Sequence, residues 1–405
     1  MRPEVLSPAG DMESLDAALR YGADAVYLAG KSFGMRTASK NFSIEELKEA
    51  CRKAHELNRR VYLTCNTLPR NADIPDMPDF LIASAEAGVD AFVIADLGVF
   101  EMAKRYAPQV ERHISTQGGI INYQAARAWY DLGAKRVVLA REARLDEIAE
   151  IRAKIPDELE IECFVHGAMC VSFSGRCLIS SFMTGRDANR GDCAQPCRWK
   201  YHLMEENREG EFFPVEERDS GTYLYNSRDL CMIDHIPELI KAGVNSLKIE
   251  GRAKTYYYTA VTTNAYRHAV DEYLAAPRDD YQLSPWIREE LDKISHRAYS
   301  TGFFFGTEPG QETQSGGYIR HYNAVAVCEE SSVGDVCVVT QRNKFLVGDT
   351  LDILPPDGLS YNVTCLSLRN GDGEEVQSAP HPMQRLWMTT DKPVIKGSVI
   401  RKQNL

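Results

Sequence analysis

A short pattern of apolar and polar positions recurs four times along the chain: YGADAVYL around Gly22, AGVDAFVI around Gly88, LGAKRVVL around Gly133 and AGVNSLKI around Gly243. In each, a glycine able to take the left-handed cap conformation ends a helix, a polar or small residue turns the chain, and an apolar run enters a buried strand. Helix and strand alternating in this way predict a parallel sheet. Four more strands are predicted between the repeats, at Val5–Leu6, Val61–Thr64, His113–Ser115 and Ile161–Val165, which brings the count to eight. Stretches with one apolar face supply the helices: Met12–Tyr21, Ile44–Leu57, Asp79–Ala87, Val99–Tyr106, Tyr123–Leu132, Leu145–Ala153, Asp229–Ala242 and Thr255–Tyr273. Eight strands with eight helices predict an α/β fold of the TIM-type (β/α)8 barrel class, and a doubly wound open sheet is the rival, since periodicity does not report closure. Both put the working surface at the C-terminal ends of the strands.

Two stretches interrupt the alternation. The pattern therefore divides the chain into a barrel over residues 1–275 with a cysteine-rich insertion at 167–226, a linker and aromatic segment over 276–317, and a small β-barrel-like C-terminal domain over 318–405. The last rests on the short strand-like runs Val325–Cys328, Val336–Thr340, Thr350–Leu354 and Val399–Arg401, separated by Gly, Asp and Pro.

A chain of 405 residues with 44% hydrophobic content can bury a large core. The opening MRPEVLSPAGDMESLDAALRYG carries Glu4 and Asp11 and no long apolar run, so the expectation is a cytoplasmic protein with no membrane partner. Eleven cysteines in a reducing compartment point to metal or redox chemistry rather than to disulfides. A net charge of −11 argues against broad nonspecific binding of nucleic acid. It leaves room for local basic patches, and two are present: Lys31, Arg36 and Lys40 after the second strand, and Arg186, Arg190, Arg198, Trp199 and Lys200 beside the cysteines.

Four cysteines, Cys170, Cys177, Cys193 and Cys197, fall in HGAMCVSFSGRCLISS and GRDANRGDCAQPCRWKY among closely spaced Gly and Pro. Such a loop can wrap an iron–sulfur cluster or a zinc ion, both of which take four converging sulfurs. The usual zinc pattern has closer pairs than Cys170 and Cys177. Cys231 is a fifth participant or a substitute for Cys197. Cys163 reads as core, and the dispersed Cys51, Cys65, Cys328, Cys337 and Cys365 as structural or incidental. Polar residues just after strands are Asn66, Asp96, Gln117, Glu142, His166, Lys248, Glu250 and Arg252. Lys248 and Arg252 suit carboxylate or phosphate oxygens, whereas an ordinary Glu250–Arg252 ion pair is the bland alternative. His166 is a candidate proton donor or a structural histidine. Neither HExxH nor GxSxG occurs, and a Cys170–His166 nucleophile pair can be drawn.

The run from Glu162 and Phe164 through Gly167-Ala168-Met169-Cys170, Gly175 and Cys177 to Ile179-Ser180 resembles the signature of the collagenase-like U-thirty-two peptidase family. LSPAGDMESLDAAL, Ser115-Thr116-Gln117, SLKIEGRAK and HRAYSTGFFFG are similar to the same family, and the β-rich tail looks like its C-terminal domain. The resemblance implies an oxygen-independent hydroxylase carrying a 4Fe-4S cluster, and within the family the chain looks most like the branch that makes 5-hydroxyuridine at the wobble position of tRNA. It implies prephenate as co-substrate and hydroxyl donor, tRNA as partner and, in one variant, a homologous partner subunit. The fourth cluster ligand is expected near Cys197 in that branch and near Cys231 in quinone-pathway relatives. A peptidase, as the family name says, and a noncatalytic iron–sulfur or zinc subunit are the alternatives.

Overall fold

The computed structural model describes residues 2–35, 40–170, 177–199, 228–306, 318–356 and 358–404. Strands β1 (Glu4–Pro8), β2 (Ala25–Ala29), β3 (Arg60–Cys65), β4 (Ala91–Ile94), β5 (Glu111–Ile114), β6 (Arg136–Val138) and β7 (Glu160–Ala168) pair in parallel in sequence order. After β8 (Asp229–Cys231), strand β9 (Ser246–Ile249) pairs in parallel with both β1 and β7 and closes an eight-stranded barrel. The doubly wound alternative falls with that closure. Around it run α1 (Met12–Arg20), α2 (Ile44–Glu56), α3 (Met77–Glu86), α4 (Leu97–Tyr106), α5 (Tyr123–Leu132), α6 (Leu145–Lys154), α7 (Ile179–Thr184), α8 (Ile236–Lys241) and α9 (Tyr256–Ala275).

The repeated turn explains the register. Gly22, Gly88, Gly133 and Gly243 all have φ between 85° and 106°, as a left-handed helix end requires. The polar residue two positions on then pins a neighbouring strand: the N–H groups of Val5, Val61 and Ile161 donate to Asp24 Oδ2, Asp90 Oδ2 and Asn245 Oδ1 at 3.0, 2.7 and 2.8 Å. Because β side chains alternate, one set from each strand fills the barrel. Val26, Leu28, Cys163, Val165, Leu247 and Ile249 belong to the apolar layer outside it, while Leu6, Ala25, Tyr27, Tyr62, Ala91 and Val93 cluster separately.

Two sequence expectations need correction. Residues 229–231 are strand β8, not the start of a helix; the helix begins at Ile236. The cause is nonlocal, since the buried Asp229 carboxylate takes the Arg297 backbone N–H at 3.0 Å and its guanidinium at 2.7 Å. Residues 276–317 are more than a linker. They contain α10 (Pro285–Asp292), with Ile287, Glu290 and Leu291 buried, and β10 (Tyr299–Ser300), which pairs with β8.

The C-terminal domain has β11 (Tyr322–Val333), β12 (Val336–Gln341), β13 (Phe345–Leu346), β14 (Thr350–Leu354), β15 (Tyr361–Arg369), β16 (Glu375–Val376), β17 (Ser378–Ala379), β18 (Arg385–Thr390) and β19 (Val399–Gln403). The antiparallel order β14-β19-β11-β12-β18-β15, with β15 returning to β14, forms a closed barrel around its own apolar core. It docks on the larger barrel through polar contacts that are themselves buried. The Tyr21 hydroxyl donates to the Leu354 carbonyl at 2.8 Å, and the fully buried Arg401 pairs with Glu290 at 2.7 Å and Asp352 at 2.9 Å. No described helix is long and apolar enough to cross a membrane.

Candidate active site at the barrel mouth

A cavity of about 140 Å³, many times the space one water needs, opens where the barrel strands end. Cys170, Cys177, Cys193 and Cys197 all line it, together with Lys248, Glu250 and Arg252. The sequence put these seven residues in two distant segments, and the fold brings them to one hollow. Cys177 and Cys193 flank α7 and the turn that follows, whose Asn189 Nδ2 donates to the Cys177 carbonyl at 3.2 Å. Among the described residues no three His, Cys, Asp or Glu side chains close around a point that would hold a single ion.

Below the cavity the barrel interior is charged. On β7 and β9 the inward set is Glu162 and Phe164, and Ser246 and Lys248. Lys248 Nζ lies 2.6 Å from Glu162 Oε1, and Arg136 Nη1 lies 3.0 Å from Glu162 Oε2 and 2.7 Å from Glu4 Oε1. Arg136 also reaches Glu160 at 2.6 Å, and Tyr62 donates to Glu4 at 2.6 Å. Burial alone pushes the Glu162 carboxyl up, but the Lys248 and Arg136 cations more than reverse this and hold it below the ordinary carboxylate range. Lys248 Nζ also sits 4.5 Å from the Tyr27 ring centre and 5.3 Å from that of Phe164. Arg252 Nη1 donates to Thr64 Oγ1 at 3.2 Å and its Nη2 to the Met35 carbonyl. Glu250 pairs with Arg141 at 3.4 Å, and the Arg141 guanidinium covers Phe164 at 4.0 Å.

His166 is not brought to this cavity. Counting by twos from Glu162 would point it inward, but the β7–β9 register shifts between Phe164 and His166. The ring turns out to the helix layer, 5.5 Å from Tyr266 and 6.0 Å from Tyr258. Burial pushes its pKa down to about 3, so at neutral pH it holds no acidic proton on a second ring nitrogen. Cys231 is likewise outside the cavity lining, buried on β8 with Arg288 Nη1 at 3.1 Å from its sulfur. Burial raises its thiol pKa to about 11, against the pull of Arg288. Asp96 is a helix cap, accepting from Val99 N–H at 3.0 Å. Cys51, Cys65, Cys163, Cys328, Cys337 and Cys365 are all buried in apolar cores, as expected of structural thiols.

Of the basic residues picked out for RNA, Lys40 pairs with Asp11 at 3.0 Å, Arg186 with Asp192 at 2.7 Å and Arg190 with Asp73 at 3.0 Å. Lys31 and Trp199 are exposed, and Arg36 and Lys200 lie outside the described residues. Among the cavity residues missed in the sequence are Tyr27, Thr64 and Arg141. Arg141 stands beside Glu142, which strand-end counting chose instead, so the signal was one residue away.

A TIM-type barrel whose C-terminal mouth is a cavity lined by four thiols and three cations, backed by a closed antiparallel β domain, defines a distinct class of two-domain chain. This chain belongs to peptidase family U32: the profile of that family matches residues 10–314, and that of the U32 C-terminal domain matches residues 320–401. It is 37% identical to a Bacillus subtilis protein called tRNA hydroxylation protein P1, over 99% of this chain and 95% of the relative. It is 34% identical to tRNA hydroxylation protein P of Escherichia coli, over 96% and 93% respectively. A 23S rRNA 5-hydroxycytidine synthase of Escherichia coli is 35% identical over 76% of this chain and 46% of its own length.

Proposed function

We propose that this chain is an RNA-base hydroxylase that forms 5-hydroxyuridine at the wobble position of tRNA. In this reading Cys170, Cys177, Cys193 and Cys197 hold a 4Fe-4S cluster, and a prephenate-like carboxylate is the hydroxyl donor. The observation that carries the reading is that four thiols line one cavity at the barrel mouth together with Lys248 and Arg252 from a distant part of the chain. The donor set fits the cofactor: thiolates suit iron–sulfur clusters and zinc alike, and the hollow has room for more than one ion. Cys197 lines that hollow and Cys231 does not, which favours Cys197 as fourth ligand. When bound, such a cluster supplies electron transfer or a Lewis-acidic iron.

The chain's own residues do the rest. Turning a ring C–H into C–OH removes two electrons from the base, so the site has to hold the base and an oxidised small molecule together. Lys248, Arg141 and Arg252 are the cations on the cavity wall, against the carboxylates of Glu162 and Glu250. That balance favours an anionic guest, and the guanidinium forks suit a carboxylate. The names of the relatives support RNA hydroxylation as the reaction class. A cytoplasmic location agrees with tRNA as substrate. Cys170 lines the cavity whereas the His166 ring packs against Tyr266 outside it, which speaks against the Cys170–His166 pair that a cysteine peptidase would use.

Purification without air tests the cofactor: iron and sulfide in cluster stoichiometry are expected, and stoichiometric zinc in a colourless protein would refute the mechanism. Nucleoside profiles of tRNA from cells with and without the gene test the substrate. Loss of 5-hydroxyuridine derivatives is expected in the deletion, and an unchanged profile refutes the assignment. If activity requires a copurifying homologue, the noncatalytic-subunit alternative replaces it.

A further inference from the structure

The side chain of Gln117 stands out among the groups around the cavity. It is 9% exposed, lines the hollow, and among the described residues neither its Oε1 nor its Nε2 has a hydrogen-bond partner. Buried carboxamides without partners are rare and destabilising, so one kept at a cavity wall is a group awaiting a ligand. Its position is fixed by the backbone. The turn Thr116–Gly118 follows β5, Ser115 Oγ accepts the Gln117 N–H at 3.4 Å, and Gly119 closes the turn at φ 65°. The neighbouring carboxamide in the same cavity is already used: Asn66 Oδ1 accepts from Met35 N–H at 3.3 Å, and its Nδ2 donates to Ser115 Oγ at 3.4 Å.

We infer that Gln117 is a specificity-determining residue that reads the Watson–Crick edge of an unpaired pyrimidine. The inference rests on the RNA-base reading and deepens it. A carboxamide offers one donor and one acceptor side by side in a plane, which matches N3–H with an adjacent carbonyl in uracil, or N3 with the exocyclic amine in cytosine. Bases are read along this edge once they have left the stack. When the N3–C2 edge is held, the C5–C6 edge lies on the opposite side of the ring and is left free for chemistry. Gln117 therefore demands a base whose N3 position is unblocked and unpaired, and by itself it does not separate uracil from cytosine.

The test uses the full chain prepared without air and two short RNA hairpins, identical except that a single loop uridine is 3-methyluridine in one. The wild type should bind the uridine hairpin roughly tenfold or more tightly than the methylated one, the effect of losing a bidentate contact. Gln117→Leu should bind both equally and weakly. The ligand-free Gln117→Leu protein should also melt at the wild-type temperature or above it, because it replaces a buried polar group, without a hydrogen-bond partner among the described residues, by an apolar one of similar size. A variant that still discriminates between the hairpins overturns the role of Gln117 while leaving the RNA reading intact. So does a clear drop in its melting temperature, which would reveal a structural role. A wild type that binds neither hairpin overturns both.

Discussion

The charged core of the barrel makes an asymmetric prediction about Glu162 and Lys248. At 2.6 Å and an effective dielectric near 20, their gross attraction is about 6 kcal/mol, most of it offset by the cost of taking both groups out of water. The two residues differ in what they leave behind. Glu162→Gln strands the Lys248 ammonium, left with the faces of Tyr27 and Phe164, while Arg136 keeps Glu4 and Glu160. Lys248→Met leaves Glu162 still bound by Arg136 at 3.0 Å. Glu162→Gln should therefore cost about 3–5 kcal/mol, the usual result of uncovering a buried charge, and Lys248→Met about 1–2 kcal/mol. The double variant should cost no more than Lys248→Met, because no cation then remains to be stranded. Urea denaturation at neutral pH followed by far-ultraviolet circular dichroism gives all three numbers, provided the slopes agree. Equal costs for the single variants, or additive costs in the double, would refute the assignment of Glu162 as shared counterion. The folded Lys248→Met protein then isolates the function of the ammonium, and it should lose hydroxylation.

Cys197→Ser should lose both iron and hydroxylated nucleoside, whereas Cys231→Ser should retain both; the reverse pattern would move the fourth ligand to β8. Gly167→Ala should cost roughly 2–3 kcal/mol or more, since Gly167 has φ 104° and an added Cβ would meet the Glu250 carbonyl at 2.5 Å; an unchanged melting temperature would contradict this. Arg401→Met should destabilise by about 2–4 kcal/mol where the domains meet, because Glu290 and Asp352 are left to share Lys293, at 2.8 and 2.9 Å, again read by urea denaturation. Burial raises the Glu290 pKa, but Arg401 and Lys293 bring it down to about 2, below the ordinary 4.5. Its stabilising contribution is complete above the ordinary value and is lost as pH falls through 4.5 towards 2, so the acid decline of stability should be shallower in Glu290→Gln.

The barrel was legible in the sequence because its information is local. A Gly ending a helix, a polar residue two positions later and an apolar run of four or five residues lie within eight positions of one another, and the same side chain that turns the chain also pins the register. Closure was not legible, since β9 finds β7 and β1 through pairings far apart in sequence. The same limit hid β8, where the spacing of Leu230, Ile233 and Ile236 mimics a helical face. What decides the conformation there is Arg297, far along the chain, on Asp229. In the C-terminal domain, β15 and β18 were passed over because their apolar runs are short: buried Val363 and Cys365 alternate with Asn362 and Thr364 in β15, and β18 offers only Leu386-Trp387-Met388.

At the site, success and failure follow from parity along the strands. Four cysteines close together in sequence advertise themselves whatever the backbone does, and Lys248 and Glu250 keep step with β9, so their inward direction could be counted. His166 could not be placed by counting, because one register shift after Phe164 reverses which face every later residue of β7 presents. That shift also has a consequence for the chemistry. It sends an imidazole, a ready proton carrier at neutral pH, into a tyrosine-lined layer where burial keeps it neutral, and leaves the cavity wall to cations, thiols, carboxamides and the Glu250 carboxylate. A site built in this way is suited to holding an anion and a flat polar ring in fixed orientation rather than to moving protons through an imidazole. Orientation of two guests is what a hydroxyl transfer between a small acid and a base most needs from the protein.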